Sequence, residues 1–315
     1  MTSASSQSKK VLDDALGHER GLVMNLFKEQ NTKILITGAE GMLGSDLVKN
    51  ISLHLGNHRV LGLNSQALDI TNLSQIENVF KNNSISHIIN AAAYTHVDKA
   101  EVEREKAELI NVTGPKLLAG VANSLAIPLV HFSTDYVFSG TGNRPWSETD
   151  VTIPPSPNYY GETKLLGDKE VLKNRINLVL RVQWLYGAQK DRFTILRDKA
   201  EFTPFSDQWG APTWTRDISR VVLKLIEQQA HGLFHFAYDD YATWEEVYGF
   251  VCEKLQLATR LIPKKTSEVK LPAQRPLFGV MSNKKLLAQL GEQNMGSWRT
   301  SLLEFLNLQK KAEDK

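Results

Sequence analysis

The run Lys33-Ile34-Leu35-Ile36-Thr37 ends in a turn with glycines at 38, 41 and 44, and an apolar helical period through Leu43, Leu47 and Val48 follows. Strand, glycine turn and helix in that order open a βαβ unit, which restricts the chain to folds built on parallel strands. Gly38 permits a tight turn, Gly41 lets backbone amides approach a pyrophosphate, and Gly44 lets the helix pack close to the strand. The helix start, Gly41-Met42-Leu43, then points its free amides at an anion. The spacing is G-x-x-G-x-x-G rather than G-x-G-x-x-G, so other residues must support a dinucleotide site.

The alternation continues. Strands are expected at 33–37, 58–63, 86–90, 127–133 and 177–182, with helices at 43–55, 71–82, 103–125 and 157–174. Right-handed crossovers turn such a pattern into an α/β fold of Rossmann type, a doubly wound parallel sheet spanning residues 32–182. After Arg181 the regularity weakens, and Trp184, Trp209, Trp214 and Trp244 sit among Pro204, Gly210 and Pro212. Helices at 216–229, 243–256, 283–290 and 297–308 and a short strand at 233–236 make 183–315 a smaller mixed α/β substrate-binding lobe, partly interleaved with the first domain. Residues 1–31 form an N-terminal extension in which Val11, Leu12, Ala15, Leu22, Val23, Leu26 and Phe27 outline an amphipathic helix. That helix is expected to dock on the body or touch a second subunit.

The 37 basic and 35 acidic residues are interspersed, for a formal net charge of +2, which gives no electrostatic case for nucleic acid or an anionic membrane. No apolar run approaches the roughly 20 residues of a membrane span. Cys252 is the only cysteine, so an intrachain disulfide or a thiolate zinc cluster is excluded and a reducing cytoplasm fits. The pairs His54/His58 and His231/His235 straddle turns, and no metal site is expected.

Tyr160 and Lys164 carry the chemistry. On a helix, positions i and i+4 share a face, so phenol and ammonium converge. A free tyrosine has a pKa of about 10. A nearby Lys⁺ is expected to favour the phenolate and bring that pKa down, which suits acid–base work at a carbonyl. The segment His131-Phe132-Ser133-Thr134-Asp135-Tyr136-Val137-Phe138 closes the fourth strand at the sheet's carboxyl end, where ligands of such folds bind. Thr134 can hydrogen-bond the same carbonyl oxygen, with Ser133 as the adjacent alternative. After the third strand, Ala91-Ala92-Ala93 lets backbone come close to the cofactor, and Asn111 anchors either the long helix or a catalytic water. Asp69-Ile70 is expected near the adenine. The second strand ends Leu63-Asn64-Ser65-Gln66, without the acid that would grip a ribose 2′-hydroxyl, so the expectation leans to NADPH with NADH allowed.

These segments, with Asn90 through Glu101, Trp184-Leu185-Tyr186-Gly187, Asp207 through Thr213 and Arg275-Pro276, resemble the extended short-chain dehydrogenase/reductase superfamily. Within it they are similar to the dTDP-4-dehydrorhamnose reductase family, over residues 33–308. The resemblance implies reduction of the C4 keto group of a nucleotide-activated deoxysugar. Tyr160 would donate the proton, Lys164 would tune Tyr160 and hold the nicotinamide ribose, and Thr134 would share the carbonyl oxygen. Tyr136 and Trp184 would meet the sugar and Arg275 the diphosphate, with Ser133 and Asp135 in the same substrate-facing set. The expected partners are a nucleotide-sugar substrate and, at most, a second copy of the chain in a homodimer. Related dehydratases place Glu after Thr-Asp, where Tyr136 stands here. A nucleotide-sugar epimerase is a further alternative. A non-catalytic regulatory subunit like the methionine adenosyltransferase β subunit is another, against which the intact Thr134, Tyr160 and Lys164 argue. The chain departs from the family pattern at Ala188 through Phe193, at Gly279 in place of serine, and at Asp168 in place of glutamate.

Overall fold

The computed structural model describes residues 32–150, 156–189 and 191–313, so the expected N-terminal helix lies outside the described residues. Strands β1 (Lys33–Thr37), β2 (Val60–Leu63), β3 (Ile85–Asn90), β4 (Leu129–Thr134), β5 (Leu178–Val182) and β6 (Gly232–His235) form one sheet in the order β6-β5-β4-β3-β1-β2. All of its pairings are parallel. The helices are α1 (Met42–Leu55), α2 (Leu73–Asn82), α3 (Val97–Ala100), α4 (Arg104–Glu108), α5 (Gly114–Ser124), α6 (Tyr159–Leu172), α7 (Thr215–Glu227), α8 (Trp244–Leu255), α9 (Lys284–Leu290) and α10 (Trp298–Glu313).

Strand alternation divides the core into two layers. Ile34 and Ile36 face Leu47 and Ile51 of α1, Ile218 and Val222 of α7, and Phe305 of α10. Leu35 faces Ile76 of α2, Leu118 of α5 and Val171 of α6. Each such aliphatic side chain contributes about 1.5–3 kcal/mol by leaving water. Strand order reverses direction between β1 and β3, and the crevice at their carboxyl ends is where doubly wound sheets bind ligands. No helix among the described residues is long and apolar enough to cross a membrane.

Several boundaries differ from expectation for local reasons. β2 begins late because Gly56, at φ 91°, ends α1 and Asn57–Arg59 form a 3-10 turn. The expected helix over 103–125 is interrupted by a π-helical turn, Leu109–Thr113, between α4 and α5. α6 starts at Tyr159 because the Asn158 side chain accepts from the Gly161 amide at 2.9 Å, a standard N-cap. The short strand expected in the tail is β6, which pairs with β5 and carries the chain back to the edge of the main sheet.

The π-helical turn presses on α6, because a Cβ at Gly167 would overlap the Asn111 carbonyl oxygen. We therefore predict that Gly167→Ala destabilises the protein by about 1–3 kcal/mol through overpacking. Gly120→Ala on exposed α5, where a Cβ meets nothing within 4 Å, should stabilise by up to about 1 kcal/mol. Urea unfolding of both variants checks this, and equal effects would show that α6 is free to shift away from the turn.

Candidate active site

The glycine turn is shaped by contact across the crevice. Gly38 has φ +63°, and a Cβ there would lie 2.7 Å from the Ala92 amide nitrogen. A Cβ at Gly44 would overlap the Gly38 carbonyl. The loop after β1 therefore touches Ala91-Ala92 after β3, and only small residues permit it. Gly41 precedes α1 with no side-chain cap, so the first-turn amides remain available to phosphate oxygens. Met42 is half-buried and Leu43 buried in that first turn, while Ala93 continues the small-residue wall. This cradle, closed to any Cβ and open to anions, fits a nicotinamide dinucleotide.

Asp69 is exposed and closes a turn by accepting from the Thr71 amide and hydroxyl at 2.9 and 2.7 Å. Ile70 is buried, and a Cβ at Gly114 would come within 2.6 Å of it. A carboxylate does reach the end of β2. It belongs to Glu40 in the glycine turn, whose Oε1 accepts from Asn64 Nδ2 at 2.7 Å. The end of the strand itself, Leu63-Asn64-Ser65-Gln66, carries no acid.

The catalytic candidates meet at the carboxyl end of β4. The Thr134 hydroxyl accepts from the Tyr136 amide at 3.2 Å and donates to Asp135 Oδ1 at 3.1 Å. It lies beside the Tyr160 phenol, near enough to affect its pKa. Tyr136 and Tyr160 pack edge to face with centroids 5.6 Å apart. Gly161 makes this possible, since a Cβ there would overlap the Tyr136 carbonyl. Burial raises the Tyr160 pKa above its ordinary value, and the Thr134 hydroxyl opposes this only in part. The phenol therefore stays protonated near neutrality.

Lys164, 2% exposed, donates to the Phe132 carbonyl at 2.6 Å and lies 3.2 Å from His131 Nε2. Burial brings its pKa down to about 8. The expectation that Lys164 lowers the Tyr160 pKa is not met in this structure. The amine is tied to β4, and dehydration of the phenol dominates.

The His131 contact fixes a tautomer. Asn90 Oδ1 accepts from Thr37 Oγ1 at 2.6 Å and from the Ala92 amide at 3.2 Å. Its Nδ2 therefore faces His131 Nδ1, 3.0 Å away, and Nδ1 must accept. The ring proton then sits on Nε2, on the side of Lys164 Nζ, so the amine directs its hydrogen to the Phe132 carbonyl rather than to the ring. Burial, with Lys164 charge adding to it, also holds the His131 pKa well below its usual value.

The other candidates divide. Ser133 faces away from this group: its hydroxyl donates to buried Asp168 at 2.8 Å, which also accepts from Arg181 Nε at 3.2 Å. Asp135 is buried, which pushes its pKa up to about 7. Its carboxyl fills the space a Cβ at Gly279 would need. Trp184, at φ +45°, stacks on Trp244 with centroids 3.9 Å apart. Arg275 pairs with Asp98 at 2.8 Å and lies near enough to Tyr136 to oppose the rise of its pKa to about 12, caused mainly by burial. Asn111 clamps the loop after β3 to α6: it accepts from the Tyr94 amide at 2.9 Å and donates to Tyr94 O and to Thr163 Oγ1, each at 3.1 Å.

A parallel doubly wound sheet, a glycine cradle at its switch point and a Thr134–Tyr160–Lys164 cluster define an enzyme site of the extended short-chain dehydrogenase/reductase type. The family model described as the RmlD substrate binding domain matches residues 32–310, and the chain belongs to that family. It is 38% identical to a dTDP-4-keto-6-deoxy-D-glucose reductase of Streptomyces niveus over 223 residues, 68% of this chain and 75% of the relative. A crystal structure of a dTDP-4-dehydrorhamnose reductase from Clostridium acetobutylicum is similar at TM-score 0.83 and 34% identity, covering 89% of this chain and all of that one. One from Bacillus anthracis, in complex with NADP, is similar at 0.82 and 30%, covering 89% and 99%.

Isotopic labelling of the histidines tests the buried cluster. We predict that the ¹⁵N spectrum of His131 shows an unprotonated Nδ1 and an Nε2–H, with no titration at the ordinary value of about 6.5. An Nδ1–H tautomer would contradict the geometry.

Proposed function

We propose that the chain reduces the C4 keto group of a dTDP-activated 6-deoxysugar, turning dTDP-4-dehydro-L-rhamnose into dTDP-L-rhamnose, with a reduced nicotinamide dinucleotide as cofactor. The observation that carries this reading is a half-buried Tyr160 phenol, kept protonated by dehydration and set beside the Thr134 hydroxyl near the glycine cradle. Residues Gly38, Gly41, Met42, Leu43 and Ala91 through Ala93 would hold the dinucleotide, which when bound supplies a hydride from its nicotinamide ring.

The side chains account for the rest of the reaction. Tyr160 presents its O–H, and Thr134 would present a second by turning its hydroxyl from Asp135, to one point where the substrate carbonyl oxygen would sit. As that oxygen gains negative charge, these donors stabilise it more than they stabilise the neutral carbonyl. Tyr160 then gives its proton to the oxygen. A phenol kept protonated by burial is a weak acid, but an alkoxide is basic enough to take its proton. Charged Lys164, one turn along α6 and anchored on the Phe132 carbonyl, would hold the nicotinamide ribose with its remaining N–H groups. Asp135 is followed by Tyr136 and not by a second carboxylate, which supports reduction over dehydration. Arg275 offers a planar fork for a diphosphate if it exchanges Asp98 for the substrate.

Tyr160→Phe should lower kcat by about 10²–10⁴-fold while the cofactor Kd changes little, as measured by loss of reduced-nicotinamide absorbance and by fluorescence titration. Near-normal turnover would sink the assignment. Because burial lowers the Lys164 pKa, its charged form is lost early, and kcat/KM should fall as pH rises through about 8. A limb at about 10, the value of an ordinary lysine, would contradict this role.

A further inference from the structure

The cofactor's adenosine end meets a feature that the glycine spacing does not reveal. Asn64, the first residue after β2, accepts from the backbone amides of Gln66 and Ala67 through Oδ1, at 3.1 and 2.9 Å. Those two amides settle which end of its side chain is oxygen, so Nδ2 must point back over the sheet edge. There it donates to Glu40 Oε1 at 2.7 Å. Glu40 stands one residue before Gly41, and its turn is pinned to β2 by the Ala39 amide, which donates to Leu63 O at 3.1 Å. The carboxylate is thus held at the carboxyl end of β2, where a Rossmann-type site receives the adenosine ribose. Asn64 is its one side-chain partner among the described residues, and Asn64 is neutral, so the negative charge is not cancelled there.

We propose that Glu40 is the residue that selects the cofactor, accepting a hydrogen bond from the ribose 2′-hydroxyl of NADH and repelling the 2′-phosphate of NADPH. The usual acid at this place comes from the end of β2 itself. Here the strand contributes only a neutral amide, and the glycine turn delivers the acid from the other side. The Leu63-Asn64-Ser65-Gln66 segment taken alone leans to NADPH. The Asn64–Glu40 hydrogen bond reverses that lean. A 2′-phosphate carries close to two negative charges at neutral pH, and a carboxylate within a few ångströms disfavours it even at the high dielectric of an exposed site. The inference rests on the reductase reading only in naming a nicotinamide cofactor.

Fluorescence titration of the full-length protein with NADH and with NADPH, without any sugar, tests the proposal. The expected result is an NADH Kd about ten-fold or more below that of NADPH. Glu40→Gln should bring the two within about three-fold, and Glu40→Lys should invert the order by giving the 2′-phosphate a cation. The ratio of kcat/KM values should follow the same order. A wild-type protein that binds NADPH more tightly would overturn the proposal, as would a Glu40→Gln ratio equal to wild type or a failure to bind either dinucleotide. A protein that prefers NADH through Glu40 yet reduces no keto-sugar would refute the proposed reaction and leave this inference standing.

Discussion

The hydrogen bond from the Lys164 amine to the Phe132 carbonyl fixes the geometry of the site. Taking an amine out of water is costly, and an unpaired one would be more so. The arrangement stands because β4 offers the Phe132 carbonyl at the point where α6 crosses it. With Lys164 held there, Tyr160 one helical turn earlier falls beside Thr134 at the end of the same strand. The gain is positional: one buried contact between a helix and a strand sets the relation of the Tyr160 phenol to the Thr134 hydroxyl.

That contact requires α6 to lie unusually close to its neighbours, and two glycines permit it. Gly161 rests on the Tyr136 carbonyl, and Gly167 rests on the Asn111 carbonyl of the π-helical turn. The π-helical turn in turn places Asn111 where it holds both Tyr94 after β3 and Thr163 of α6. A π-helical turn is a less favourable local structure than an α-helical one and is found mostly at functional sites. Here it lets one side chain join the loop after β3 to α6. The buried Ser133–Asp168–Arg181 group completes the support from behind, and it explains why Ser133 is engaged there while Thr134 faces the Tyr160 phenol.

Much of this was legible in the sequence because it is local in the chain. The glycine spacing, the alternation of strands and helices, and Tyr160 with Lys164 each lie within one element or one turn, where period and residue type speak directly. What escaped depends on distances that only tertiary packing sets. The Glu40–Asn64 contact spans 24 residues and the Asp98–Arg275 pair 177. The tautomer of His131 follows from donors on β1 and in the loop after β3, and nothing around His131 in the sequence announces it. The direction of the Tyr160 shift was also beyond reach, since proximity to a lysine was legible and the degree of dehydration was not. The break in the helix over 103–125 lies just before Gly114-Pro115, where Pro115 has no N–H to continue the ladder, but its π-helical form is set by packing against α6.

The most direct test of the proposed reaction is isotopic. The protein is mixed with dTDP-4-dehydro-L-rhamnose and nicotinamide cofactor deuterated at ring C4 on one face, then on the other, and the product is read by NMR. The account predicts deuterium at sugar C4, delivered from one face only, in a product identified as dTDP-L-rhamnose. A product without deuterium at C4, or no product from a protein that binds the cofactor, would contradict it.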